Sequence, residues 1–150
     1  MAMMKVKKDD GMSLVGKIIT IIFIIILAAA IYYFVTLFKG VEINAVNLAG
    51  EWKQAGNPTW FITFTADGNP EEGYDGTAHS WYQSATGEIT SDKHYTFYLE
   101  ENANGVMVLH LYDKSAKKEE EIKITKLSRA EMSVIRNGSN FETITKCNIF

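Results

Sequence analysis

The sequence predicts an all-β domain, an antiparallel eight-stranded barrel or sandwich, preceded by one transmembrane α-helix. Three observations carry this reading. Residues 18–38 form an uncharged apolar run of 21 residues. Beyond residue 40 apolar and polar side chains alternate, with Gly, Asn or Asp punctuating the pattern, as in half-buried strands joined by tight turns. The single cysteine, Cys147, excludes an internal disulfide and leaves stability to an apolar core.

The first element is the run IITIIFIIILAAAIYYFVTLF, which follows a short tail of residues 1–17. As a helix it spans roughly 31 Å, matching a hydrocarbon core about 30 Å thick. Fourteen of its 21 residues are Ile, Leu, Phe or Val, and together they favour insertion by roughly 4–8 kcal/mol. A cleaved secretory signal is the alternative, since Ala28, Ala29 and Ala30 supply small residues. Against it, the next eight residues, IYYFVTLF, stay mostly apolar where a polar chain should follow a cleavage site. Lys5, Lys7, Lys8 and Lys17 precede the run, and Lys39 alone follows it closely, offset by Glu42. The positive-inside bias therefore expects a cytoplasmic N-terminus and an extracytoplasmic C-terminal domain on the cell membrane.

Residues 39–48 read as a tether and 49–150 as the β domain. Of 15 basic and 18 acidic residues, five lysines and two aspartates lie before residue 41, so the remainder carries 10 basic against 16 acidic, a charge of −6. Such a surface argues against nucleic acid, whose phosphates need basic partners. Strands are expected at 49–54, 60–65, 73–82, 93–99, 106–112, 121–127, 132–136 and 141–148. In the second, Trp60, Ile62 and Phe64 point one way and Phe61, Thr63 and Thr65 the other. The hairpin YTFYLEENANGVMVLHLY admits a sharper test. A two-residue Asn104-Gly105 turn would put Leu99 opposite His110, whereas a three-residue loop at 103–105, with Gly105 left-handed, pairs Leu99 with Leu109 and Phe97 with Leu111. The apolar pattern selects the longer loop. The mixed-charge run DKSAKKEEE at 113–121 reads as a solvated hairpin loop.

Candidate chemistry is sparse. In DGNPEEGYDG, Asp67, Asn69, Glu71 and Asp75 alternate as calcium ligands do, but Glu72 stands where a calcium loop needs glycine, and Ala78 where it needs glutamate. His79, His94 and His110 fall on separate strands without local ligand spacing, so no metal and no cofactor is expected. Ser80 beside His79 lacks a nucleophile-elbow setting and Cys147 has no motif around it, so no enzyme is expected either.

The pair Gly50-x-Trp52, the stretch ITFTADGN at 62–69 and the late pair IKITKLSRAEMSVI at 122–135 resemble the small bacterial lipocalin-like (calycin-type) domains, over about residues 47–148. The resemblance implies a barrel closed at one end by Gly50 and Trp52, with a late-strand arginine over the tryptophan; Arg136 is the better placed of the chain's two. In that family the arginine tends to stand near the last strand, where this chain has Lys146. Two functions compete. A cavity lined by Trp60, Phe64, Tyr95, Phe97, Leu99, Met107, Leu109 and Leu111 would bind a small apolar or amphipathic molecule and needs at least about 300 Å3 of enclosed space. A solid barrel would instead bind another cell-envelope protein through its outer face or a sheet edge.

Overall fold

A computed structural model describes residues 11–136, 138 and 140–148. Lys5, Lys7 and Lys8, which carry the orientation argument, lie outside them. The chain divides into two compact units after Thr36.

The first unit holds most of helix α1 (Leu14–Phe38). It starts four residues before the uncharged run because Ser13 accepts the Gly16 N–H through Oγ at 3.2 Å and the Lys17 N–H through its carbonyl, a serine N-cap. The 25 residues are long and apolar enough to cross a membrane. Apart from Thr20, side chains from Ile18 to Val35 are exposed, and the apolar ones lie on every side of the helix, a pattern that a membrane span and a signal sequence share.

The second unit is a closed barrel of eight antiparallel strands in sequence order: β1 (Gly50–Gln54), β2 (Thr59–Thr65), β3 (Gly76–Gln83), β4 (Ile89–Glu101), β5 (Met107–Asp113), β6 (Lys118–Leu127), β7 (Glu131–Ile135) and β8 (Phe141–Lys146). Closure rests on β1 and β8, with Trp52 opposite Lys146 and Lys53 opposite Thr145. Each strand has a partner on both sides, which removes the free sheet edge. The β4–β5 hairpin takes the expected register, Phe97 opposite Leu111 and Leu99 opposite Leu109, around a three-residue loop with Gly105 at φ 77°.

Three strand starts differ from expectation by three residues or more; β4 begins at Ile89, four residues before the expected start at 93. β3 begins at Gly76, because Pro70–Glu72 form a 3-10 turn capped by the Asn69 side chain and ended by left-handed Gly73. Asp67 there accepts the Thr77 N–H and Asp75 the Leu99 N–H, so the acidic loop uses these carboxylates as backbone caps at separate points. β6 begins at Lys118, so only residues 114–117 of the charged run form the loop. Glu119 pairs with Tyr112, Glu120 with Leu111 and Glu121 with His110. A run of like-looking charges concealed a strand with distinct inner and outer faces.

The expected tether is also folded. Residues Ala45–Leu48 make one helical turn, α2, capped by Asn44, and Leu48 is fully buried in the core while Val41, Ile43 and Ala45 pack against it. The Val41 N–H donates to the Leu127 carbonyl at 2.8 Å, and the Ala130 N–H to that of Leu37 at 3.1 Å. This segment stops one end of the barrel.

Candidate functional site

At the stopped end, Trp52 is fully buried and its Nε1–H donates to the Leu48 carbonyl at 2.8 Å. Lys146 Nζ lies 5.1 Å from the centre of its ring, within cation–π range. Burial pushes the Lys146 ammonium below the usual lysine range. Gly50 has φ +119°, and a Cβ there would lie 2.8 Å from Lys146 Cε. Glycine at this position therefore both turns the chain from α2 into β1 and leaves room for the cation over Trp52.

Arg136 is not over Trp52, contrary to the expectation from the resemblance. Its guanidinium Cζ lies 4.2 Å from the centre of the Trp60 ring, at the opposite end of the barrel. There Nη2 donates to Gln54 Oε1 at 2.9 Å, and Nε stands 3.3 Å from Glu142 Oε2, an ion pair whose angle falls outside hydrogen-bond geometry. The two cations occupy separate ends because β8 carries Lys146 beside Trp52 while β7 ends toward Gln54 and Trp60.

Arg136 and Trp60 border a cavity of about 500 Å3, lined also by Ser80, Tyr82, Ser91, Lys93, Tyr95, Leu111, Lys118, Glu120, Glu121 and Ile122. Of the eight residues expected to line an apolar cavity, Trp60, Tyr95 and Leu111 do so. Phe64, Phe97 and Leu109 are instead solid core, Phe64 and Phe97 meeting edge to face at 5.4 Å, while Leu99 packs against that core. Met107 lines a separate surface groove with Val41 and Ile124. Alternation tells which side chains turn inward but not how deep along the barrel each one sits. The lower interior is filled, and the space remains near the mouth.

The mouth is polar, which corrects the apolar expectation. Lys93 and Lys118 continue the inward alternation of Tyr95 and Ile122 beyond the apolar part of their strands. That parity was the available signal; for Lys118 it was masked by reading the charged run as a loop, whereas Lys93 opens the expected strand 93–99. Lys93 Nζ lies 3.4 Å from Glu120 Oε1. The Tyr95 phenol and the Glu120 carboxylate hold the Lys93 ammonium above the usual lysine range, while burial pushes the Tyr95 phenol up. At neutral pH the wall thus presents charged Lys93 and neutral Tyr95. Lys118 makes no ion pair among the described residues.

Cys147 lies away from this mouth, its N–H donating to the Glu51 carbonyl at 2.8 Å. Burial, with the Glu51 carboxylate nearby, pushes its thiol up, which lowers the reactive thiolate fraction. Iodoacetamide at pH 8 should therefore alkylate Cys147 several-fold more slowly in the folded chain than in urea. Equal rates, followed by mass spectrometry, would contradict its burial.

The fold and site define a class: a closed eight-stranded antiparallel barrel with a polar-mouthed cavity, preceded in sequence by an apolar helix. Comparison with known proteins found no matching family model, no matching curated protein and no matching solved structure.

Proposed function

We propose that this is a single-pass membrane protein with a cytoplasmic N-terminus, whose extracytoplasmic lipocalin-like barrel binds one small amphipathic molecule carrying an anionic group. The observation that carries the reading is the cavity of about 500 Å3, which exceeds the roughly 300 Å3 that a small-molecule site requires. Trp60 and Tyr82 offer it flat apolar surface, while Lys93, Lys118 and Arg136 offer cationic donors at the same mouth. An anion recruited there gains charge-assisted hydrogen bonds. In this reading the cationic donors hold the ligand, and no catalytic step is assigned to them. The membrane anchor keeps the barrel near molecules of the cell envelope.

The competing reading, attachment of another envelope protein, loses its sheet-edge route through closure of the barrel; its remaining route is the outer face. Native mass spectrometry of the full chain, extracted in mild detergent from the producing cell, separates the two. A retained molecule of small mass that is lost from Lys118→Glu is the expected result. A bare chain that crosslinks to one neighbouring protein would overturn ligand binding.

A further inference from the structure

On the outer face of β3 and β4, away from the cavity, the fold gathers side chains that the sequence keeps apart. His79 and His94 are directly opposite in the β3–β4 register, and their rings stack with centroids 4.3 Å apart. The register slips between Ser80 and Tyr82, so Trp81 faces both Ser91 and Asp92, and Ser91 takes φ 53°. Such a bulge re-aims the side chains beside it. The Asp92 carboxylate contacts His79 Nε2 and stands 3.9 Å from His94 Nε2. No other ion pair involves Asp92 among the described residues.

We propose that His79, Asp92 and His94 form a surface site for a divalent transition-metal ion of the zinc class. The ligand atoms of the three side chains already lie within 4.8 Å of one another. Ligands about 2.0–2.1 Å from one tetrahedral ion stand roughly 3.4 Å apart, so closure needs only a small adjustment. The parallel rings must rotate to converge. His94, with 76% of its side chain exposed, turns without disturbing the core. Two imidazoles and one carboxylate suit zinc, copper or nickel and not calcium or magnesium, which take oxygen ligands. The remaining positions on the ion belong to solvent. The site is independent of the cavity and of any ligand held there.

Trp81 supplies an internal reporter, its ring 4.8 Å from that of His79. The test is titration of the full chain in detergent, with any affinity tag removed, using Zn2+ in a calorimeter and Cu2+ as a quencher of tryptophan fluorescence. One Zn2+ per chain is expected, with Cu2+ quenching lost in Trp81→Phe. His79→Asn and His94→Asn should each weaken Zn2+ binding by at least about tenfold, and the double variant should abolish it. A second cluster, His110 with Glu119 and Glu121, is the internal control, and His110→Asn should leave Zn2+ binding unchanged. Absence of Zn2+ uptake, uptake that survives in the double variant, or uptake lost only in His110→Asn would overturn the proposal. Circular dichroism of each variant ensures that a lost signal does not reflect a lost fold.

Discussion

Trp52→Ala destabilises the barrel by about 3–5 kcal/mol, the range for removing a large buried aromatic side chain. The indole is fully buried, so truncation leaves a cavity against the stopper residue Leu48. It also leaves the Leu48 carbonyl without the donor it holds at 2.8 Å, and strips Lys146 of the ring it covers at 5.1 Å. A domain of this size has about 5–15 kcal/mol in total, so the variant sits close to unfolding. Chemical denaturation of the full chain in detergent, followed by strand circular dichroism, measures the difference. Trp52→Phe keeps most of the buried area and loses the hydrogen bond, so it should fall well short of the alanine value. A loss below about 1 kcal/mol for Trp52→Ala would mean that the barrel does not depend on this stopper.

The second large effect concerns the helix. Ile24→Arg with Ile25→Arg, near the middle of Leu14–Phe38, moves two residues from about −0.3 to −0.6 to about +2.5 to +3.5 kcal/mol each on the insertion scale. The pair therefore costs roughly 6–8 kcal/mol, comparable with the whole favourable term of the uncharged run. Wild-type chain should resist carbonate extraction from membranes, and the double variant should be released. A double variant that stays integral would refute this helix as the anchor. Intact mass of the wild-type chain checks the signal-sequence alternative, because removal after Ala30 would leave a protein 30 residues shorter that keeps only residues 31–38 of the run.

How much of this was legible in the sequence varied with the range of the interaction. The β4–β5 hairpin was readable in full, because Phe97, Leu99, Leu109 and Leu111 lie within 15 residues and only one loop length puts all four on one face. The existence of all eight strands followed from period-2 alternation. The starts of β3, β4 and β6 did not: left-handed Gly73 and the Asn69–Tyr74 bridge keep the expected first residues of β3 in the turn, β4 reaches back to Ile89, and charged side chains at 118–121 satisfy two faces of a strand as readily as a loop. Segment 41–48 looked like a linker from its place between the apolar run and the first strand, although Val41, Ile43, Ala45, Val46 and Leu48 are apolar. Only the barrel end gives Leu48 a place to be buried.

The candidate site was less legible still. Trp60, Tyr95 and Leu111 were identified as inward-facing, but Phe64, Phe97 and Leu109 face inward equally and fill the core instead. The pairing of cations with tryptophans was beyond the sequence. Whether Arg136 covers Trp52 or Trp60 is set by the stagger with which β8 returns to β1, across some ninety residues. The last-strand cation Lys146, not Arg136, takes the place over Trp52. His79 and His94 likewise became neighbours only through the β3–β4 register.

By itself the sequence determined the apolar helix, the all-β class, the strand count and the local hairpin register, because each depends on side-chain periodicity within one or two turns of chain. The tertiary structure alone decided that the barrel closes, which end is stopped, that the remaining space has a charged mouth, and which imidazoles share a carboxylate. Those outcomes depend on strand stagger and depth, which are properties of the assembled sheet and leave no mark on the spacing of residues along the chain.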